Sequence, residues 1–180
     1  MKNEIKSGTI LISKPFMEDS RFEKTIILIV ESNKEGTMGF ILNKSTNSSI
    51  DLIIKEIGSE HCFNYGGPVD TNHMFFIHKN SDLISNSTHI INDLYYGGDL
   101  EDVITLLQSN KIKDNEILFL LGYTGWEKNQ LNNEIKEGSW LIHEMELKDI
   151  KQNLEWSNLL ININQEYSVW ATAPNDFHLN

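Results

Sequence analysis

The sequence predicts a single α+β domain over residues 1–180, with a mixed β-sheet and short helices. Early apolar segments are rich in β-branched residues and are separated by turn residues, a pattern typical of β-hairpins. Later apolar segments alternate with short stretches of helical periodicity. A doubly wound fold would need a helix of about ten or more residues after nearly every strand, so the pattern favours α+β. No linker, repeat or low-complexity tract divides the chain.

The N-terminal segments predict three strands. Residues 8–15 (GTILISKP) end at a proline, which is typical of a strand that runs into a turn. Residues 25–32 (TIILIVES) are apolar at consecutive positions, so we expect both faces of this strand to be covered. The turn NKEG separates it from a third strand over residues 36–44, and residues 25–44 therefore predict a β-hairpin.

The periodicity of the sequence changes at residue 50. Isoleucines at positions i, i+3, i+4 and i+7 predict a short amphipathic helix over residues 50–57, which Gly58 ends. Residues 63–69 and 74–78 then predict two strands. Short apolar pieces within residues 82–98 predict further strands.

The C-terminal half of the chain alternates helices with strands. Asp99 is a suitable N-cap for a helix over residues 99–109, whose first turn is acidic. The apolar run ILFLL at residues 117–121 predicts the central strand. The remaining predicted elements are, in chain order, a helix after this strand, a strand over residues 139–146, a helix over residues 154–163 and a last strand over residues 167–174.

The charge balance opposes direct binding to nucleic acid. The net charge is −11, and the 15 basic residues include a single arginine, Arg21. Arginine is the side chain best suited to bidentate recognition of phosphate and guanine. The lysines are interspersed with acidic residues rather than gathered into a basic patch, so we expect no nucleic acid partner.

The cysteine content and the apolar runs predict a cytoplasmic protein. Cys62 is the single cysteine, which excludes an intrachain disulfide and fits a reducing compartment; we interpret it as a small buried apolar group rather than a redox-sensitive thiol. The N-terminal MKNEIKSG lacks the apolar stretch of a secretory signal. The longest apolar runs are far shorter than the ~20 residues that span a bilayer, so we expect no membrane association.

The segment GYTGWEKNQLNNEIKEGSW at residues 122–140 poses the question of phosphate binding. It follows a predicted buried strand and combines two glycines with a helix. The spacing matches neither the P-loop nor the dinucleotide-binding fingerprint, and Trp126 follows the second glycine where a P-loop has lysine. We expect Trp126, Gln130 and Glu134 to lie on this helix, where their spacing of four residues places them in one stripe. That stripe either looks into a groove or is a solvated face.

Sequence patterns of catalysis are weak in this chain. It has no G-x-S-x-G elbow, and adjacent residues such as His61 and Cys62 seldom present their side chains to each other. The six histidines form no metal-ligand spacing, so we expect neither a metal nor a cofactor. Glu18 and Asp19 could act with Glu134 as paired carboxylates if the fold brings them together.

Four ordered motifs carry a resemblance to a known family. They are GTILISKPFMEDSRFEKTIILIVESNKEGTMGFILNKS, NYGGPV, GYTGWEKNQLNNEIKEGSW and the closing PNDFHLN. In this order they resemble the AlgH/YqgE-like family of bacterial proteins over nearly the whole chain. The resemblance implies an α+β fold whose strongly bent mixed sheet partly closes into a small barrel, with helices around it. The family name comes from a proposed role in regulating alginate genes, and the resemblance carries no established catalytic residue.

The sequence departs from the family pattern at two places. The family's third strand ends in G-L-I-L-N-R-P, whereas this chain has Lys44 and Ser45 after Asn43, which weakens any anion site there. The family's helix motif usually has glycine before the glutamine, and Asn129 occupies that position here. We therefore expect a tighter or differently capped turn before Gln130.

Three hypotheses of function remain open. The leading one is a non-catalytic binding or regulatory module, in which aromatic, amide and carboxylate groups orient an unidentified small molecule or protein segment. The alternatives are an acid/base enzyme that uses Glu134, and a transcriptional regulator that acts through a protein partner. Asn43 and the glycines could instead serve only to hold turns. The predicted groove is formed by Asn43, Gly66, Gly67, Pro68, Trp126, Gln130 and Glu134.

Overall fold

The computed structural model describes residues 5–57, 61–144, 150–151 and 153–171. Within these ranges the chain forms one ten-stranded β-sheet and four α-helices. The strands are β1 Ile10–Ser13, β2 Ile26–Ser32, β3 Gly36–Ile41, β4 Ser45–Ser49, β5 Cys62–Tyr65, β6 Val69–His78, β7 Thr88–Ile91, β8 Leu94–Tyr96, β9 Ile117–Glu127 and β10 Trp140–His143. The helices are α1 Leu100–Gln108, α2 Gln130–Glu137, α3 Trp156–Ile163 and α4 Ser168–Ala171.

The sheet confirms the α+β prediction and is mostly antiparallel. The strand order is β10-β1-β2-β3-β9-β6-β8-β7, and β4 joins it through β5, which pairs with β9. The β5–β9 pairing is parallel, whereas the other described pairings are antiparallel. Strands β2 and β3 form the predicted hairpin, closed by a hydrogen bond from Asn33 N to Gly36 O of 3.0 Å.

The expected partial closure into a small barrel is wrong. Strands β10 and β7 lie at opposite ends of the strand order, and no pairing between described strands joins them. The sheet branches instead of closing, because β9 is longer than its neighbours: its first half pairs with β5 and β6, and its second half pairs with β3. Irregular register in the β2–β3 and β6–β9 pairings marks bulges, which bend strands without closing a sheet.

Helices cover both faces of the central strands, as the run of consecutive apolar residues in β2 predicts. Leu28 packs in one buried cluster with Trp156 and Leu160 of α3. Ile27, which points to the opposite face, packs in another cluster with Leu131 of α2. Helix α1 lies over a third cluster built around β9, and its N-cap Asp99 accepts a hydrogen bond from Glu101 N as predicted.

The helix predicted over residues 50–57 is wrong in type and extent. Two short 3₁₀ turns, Ile50–Leu52 and Lys55–Ile57, occupy this segment, and the polar strand β4 precedes them. Isoleucine is β-branched and has a modest helix propensity, so its spacing alone did not produce a helix. Ile50 and Ile57 are buried whereas Ile53 is exposed, which shows that the spacing reflects two separate contacts with the core.

Three other predictions need correction near the ends of elements. Residues 82–85 form turns rather than a strand, although β7 and β8 follow within the predicted region. The predicted strand over residues 167–174 is wrong as far as residue 171, where the chain is helical, and residues 172–174 lie outside the described residues. Cys62, the first residue of strand β5, is exposed rather than buried as predicted. No helix in the described ranges has the length and apolar character needed to cross a membrane.

Candidate functional site

The carboxylate of Glu134 accepts three side-chain hydrogen bonds. Its Oε2 accepts the indole N–H of Trp126 at 2.9 Å and that of Trp140 at 2.7 Å. Its Oε1 accepts a hydrogen bond of 2.9 Å from the amide of Gln130. Three donors from β9, β10 and α2 therefore fix one half-buried carboxylate.

Trp126 reaches Glu134 from the strand rather than from the helix. The prediction that Trp126 shares the helix with Gln130 and Glu134 is wrong, because β9 continues to Glu127 and Trp126 pairs with Thr37 of β3. Gly122 and Gly125 consequently lie within the strand and do not form a phosphate-binding turn. The chain reverses between Glu127 and Gln130, and the backbone N–H of Glu127 donates to the side chain of Gln130 at 3.0 Å.

The two tryptophans need this carboxylate because they are buried. Trp126 is 5% exposed and Trp140 is 3% exposed, and their rings meet edge to face with centroids 5.9 Å apart. Phe22 packs against both rings. A buried indole N–H without an acceptor is costly, so Glu134 stabilises the apolar cluster as well as offering its oxygens to the surface.

An open groove of about 570 Å³ lies in front of Glu134. We call it the Glu134 groove; the segment of residues 14–22, the turn at Pro68 and Val69, the end of β9 and helix α2 enclose it. Apolar surface from Phe16, Met17 and Trp126 lines part of it. Its charged lining side chains are Lys14, Glu18, Asp19, Arg21, Glu134 and Glu137.

Three of these six charged side chains, Asp19, Arg21 and Glu134, are held by hydrogen bonds to described neighbours. Arg21 binds Asp19 in a fork, with Nε to Oδ1 at 2.9 Å and the terminal nitrogen to Oδ2 at 2.6 Å. Hydrogen bonds from Arg21 lower the pKa of Asp19 below its ordinary value. Lys14 is half-buried, and its ammonium makes no ion pair with the described side chains. The fold thus brings Glu18, Asp19 and Glu134 to one groove, but with Asp19 neutralised by Arg21.

The remaining predicted site residues lie apart from Glu134. Asn43 accepts a hydrogen bond from Ile26 N at 2.8 Å and donates one of 2.9 Å to Lys24 O, which ties the end of β3 to the start of β2. It borders a separate depression of about 260 Å³ that Cys62 also lines. Of the predicted set, Pro68, Trp126, Gln130 and Glu134 share the Glu134 groove, and Asn43 does not.

Gly66 and Gly67 serve a close crossing of two backbones. The N–H of Gly66 donates to Leu121 O at 2.8 Å, and a Cβ built on Gly66 would lie 2.3 Å from Gly122 O. A Cβ on Gly67, whose φ is 155°, would lie 2.2 Å from the carbonyl of Tyr123. These glycines therefore permit β9 to pass beside the turn that carries Pro68 into the groove.

Sequence reasoning missed the partners that complete the site. Trp140 and Glu134 are separated by six residues across a helix end, Phe22 ends the 3₁₀ turn Ser20–Phe22, and Lys14 directly follows β1. Trp126 and Trp140 flank one short helix in the sequence. Because buried indoles need hydrogen-bond acceptors, this spacing could have indicated that a polar side chain of the helix binds them.

A second buried polar group has the geometry of a structural histidine. His78 is fully buried, its Nδ1 accepts from Asn80 N at 3.1 Å, and its Nε2 lies 3.1 Å from Gly97 O and 3.0 Å from Ser87 Oγ. The proton consequently sits on Nε2, so the imidazole cannot act as a base toward Ser87. In the described part of the chain, no three side chains of the metal-binding types gather into a ligand set.

Comparisons with known proteins agree with the fold and the motifs. The family profile described as AlgH-like matches residues 10–168. The chain belongs to the AlgH-like family. A UPF0301 protein of Cytophaga hutchinsonii is 37% identical over 98% of this chain and 100% of its own length. A UPF0301 protein of Bacteroides thetaiotaomicron is 36% identical over 93% of this chain and 87% of its own.

Two solved structures share the AlgH-like fold. The solution structure of AlgH from Pseudomonas aeruginosa superposes with a TM-score of 0.71 at 24% identity, covering 97% of this chain and all of that one. A crystal structure of a Corynebacterium diphtheriae protein gives a TM-score of 0.76 at 19% identity, covering 96% and 95% of the two chains. These similarities concern the architecture, which is α+β with helices on an open sheet.

The departure from the AlgH-like pattern at Asn129 has a local explanation. Asn129 precedes α2 with φ of 65° and ψ of −8°, in the left-handed region. Asparagine tolerates this conformation better than other residues with a Cβ, although glycine adopts it without strain. Asn129 therefore preserves the reversal of chain direction that carries Gln130 and Glu134 back to Trp126.

Proposed function

We propose that this AlgH-like protein is a non-catalytic binding module and that the Glu134 groove is its ligand site. The observation that supports this most strongly is the fixed carboxylate of Glu134, held by two indoles and an amide at the wall of an open groove. A recognition group that is oriented before binding loses little conformational entropy when the ligand arrives.

The hydrogen-bond capacity of Glu134 indicates what the ligand offers. An ionised carboxylate has about four acceptor positions. The Oε2 atom already accepts two indole N–H groups, whereas Oε1 accepts one amide, so Oε1 retains one position for a donor on the ligand. The ligand should therefore present an N–H or O–H group to Glu134.

The charges around the groove favour a cationic or zwitterionic ligand. Four acidic side chains and two basic ones line it, and Arg21 is already paired with Asp19. Lys14 remains for an anionic or carbonyl group of the ligand, and Phe16 and Met17 offer apolar contact. A small amine-bearing molecule or a protein segment with a basic residue has this chemistry, and the proposal includes both.

The alternative of an acid/base enzyme receives less support from this geometry. Glu134 is its candidate base, and the described hydrogen-bond partners of Glu134 are two indoles and an amide. None of these groups exchanges a proton near neutral pH, so none of the described hydrogen-bond partners of Glu134 can complete a general acid/base pair with it.

Thermal-shift screening of amine-bearing metabolites and basic peptides tests the proposal. A ligand present at about one hundred times its dissociation constant stabilises the folded state by about 2.7 kcal/mol. We expect Lys14→Gln and Gln130→Ala to reduce this stabilisation, and Lys55→Gln, an exposed lysine outside the groove, to leave it unchanged. Equal stabilisation of all the variants would place the ligand elsewhere and contradict the proposal.

A further inference from the structure

Helix α2 separates the Glu134 groove from a second groove of opposite charge. The second groove has a volume of about 1150 Å³ and lies between α2 and the β2–β3 hairpin. We call it the lysine groove, because its charged lining side chains in the described part of the chain are Lys34, Lys128 and Lys136.

The charge of the lysine groove contrasts with that of the whole protein. The chain carries a net charge of −11, yet no acidic side chain is among the described residues that line this groove. Glu35 and Glu127, which are the sequence neighbours of Lys34 and Lys128, do not line it. The three lysines are exposed and form no ion pair with described residues, so their charges are available to a partner.

The remaining lining side chains point to the class of partner. Half-buried Ile5, Ile135 and Ile142 contribute aliphatic surface. Four asparagines add amide groups that can bond a peptide backbone; they are Asn33, Asn129, Asn132 and Asn133. No aromatic side chain and no arginine is among the described lining residues, so these residues offer neither base stacking nor the bidentate phosphate contacts of a guanidinium.

The size of the groove supports an extended occupant. Typical small-molecule sites have volumes of roughly 300–1,000 Å³. At about 1150 Å³, the lysine groove exceeds this range.

We propose that the lysine groove docks an acidic segment of a partner protein that also carries aliphatic side chains. The carboxylates of the segment approach the three lysines, its aliphatic groups cover the isoleucines, and its backbone bonds the asparagine amides. This site is distinct from the Glu134 groove and does not depend on what that groove binds. Charge complementarity mainly raises the on-rate and selects the partner. Because salt screens the charges of the lysines and of the acidic segment, we expect salt to weaken the interaction.

Fluorescence anisotropy with three probes tests this assignment. The first probe is a labelled peptide in which glutamates alternate with leucines, the second replaces its leucines with serines, and the third is a single-stranded oligo-dT of similar charge. We expect the parent protein to bind the glutamate–leucine peptide, to bind the serine peptide more weakly and to bind oligo-dT weakly or not at all. Raising the ionic strength should reduce the affinity for the first peptide.

Two variants of equal charge locate the site. Lys128→Gln with Lys136→Gln should weaken binding of the glutamate–leucine peptide by about three- to tenfold. Lys55→Gln with Lys111→Gln removes the same charge from exposed positions outside the groove and should leave binding unchanged. Equal losses in the two double variants, equal binding of both peptides, preference for oligo-dT or failure to bind the first peptide would each overturn the proposal.

Discussion

Trp140 donates its indole N–H to Glu134 Oε2 over 2.7 Å and thereby links strand β10 to helix α2. The same oxygen accepts the indole of Trp126 from β9. One carboxylate thus joins three elements whose apolar faces form a single buried cluster. The contact has a structural consequence and a functional one, because it holds the cluster together and fixes an acceptor at the groove.

Replacing Glu134 by alanine should destabilise the protein by about 2–6 kcal/mol, the sum over two indole donors. The change leaves two buried indole donors without their acceptor, at a cost of about 1–3 kcal/mol each when water does not replace it. Urea denaturation followed by tryptophan fluorescence measures the effect. Glu137→Ala, on an exposed position of the same helix, is the control and should change stability by at most about 0.5 kcal/mol. Similar stabilities for the two variants would show that the indole contacts are not structural.

The left-handed conformation of Asn129 predicts opposite effects for two substitutions. Asn129→Gly should be neutral or slightly stabilising, because glycine adopts φ of 65° without steric cost. Asn129→Ala should destabilise the protein by about 1 kcal/mol, since a Cβ without a compensating polar group disfavours this region. Denaturation midpoints measure both changes, with Asn132→Ala in the exposed helix as reference. A more stable alanine variant than glycine variant would contradict the local geometry.

Alanine substitutions at Gly97 and Gly67 distinguish the free-energy cost of a strained backbone conformation from that of a steric clash with a neighbouring strand. Gly97 has φ of 66° with no atom within 4 Å of a built Cβ, so Gly97→Ala should cost about 1 kcal/mol from backbone strain alone. Gly67→Ala should cost clearly more, because its Cβ would meet the Tyr123 carbonyl. Thermal unfolding of the two variants compares them directly. Equal losses would mean that the crossing beside β9 has room for a side chain.

The buried His78 predicts a dependence of stability on pH. Burial lowers the pKa of His78 from its ordinary value of 6.5, with hydrogen bonding to Gly97 acting weakly in the other direction. Because the pKa of His78 is lower in the folded protein than in the unfolded chain, the unfolded chain binds the proton at a higher pH as the pH falls. This contribution to stability is therefore complete above pH 6.5 and is lost as the pH falls toward the folded pKa.

Urea denaturation between pH 7.5 and about pH 5 tests the role of His78. We expect the free energy of unfolding to fall with pH in the parent and to fall less in His78→Gln. His73→Gln, which changes an exposed histidine, provides the reference for the slope. The pKa values of Asp19 and Asp114 are lowered by hydrogen bonds to their ion partners, so the contributions of these two carboxylates are lost at more acidic pH. Identical slopes for the parent and His78→Gln would contradict this reading.

Sequence patterns predicted the parts of the fold that arise from local chemistry. The β2–β3 hairpin follows from apolar runs around NKEG, and helix α1 follows from an Asp99 cap with an apolar stripe. The predictions of a barrel and of a helix over residues 50–57 were wrong because both features depend on contacts between distant segments. The branching of the sheet depends on the length of β9, and the segment at residue 50 is shaped by the β4–β5 pairing.

The site was predictable only in part for a similar reason. Gln130 and Glu134 stand one helical turn apart, so their bond follows from the sequence. The indole of Trp140 and the loop with Lys14 reach the same place through contacts that no short-range pattern encodes. The sequence suggests that Asn43 is a recognition group. Its side chain instead bonds the backbone at Ile26 in β2 and at Lys24 just before β2.

Nuclear magnetic resonance of the indole N–H groups shows whether a ligand occupies the Glu134 groove. Trp126 and Trp140 report on the Glu134 groove, and Trp156, which donates to Ser13 O on the far side of the sheet, is an internal control. During titration with a ligand that stabilises the protein, we expect the Trp126 and Trp140 resonances to shift and that of Trp156 to stay in place. A stabilising ligand that moves Trp156 but leaves Trp126 and Trp140 unchanged would contradict the proposal.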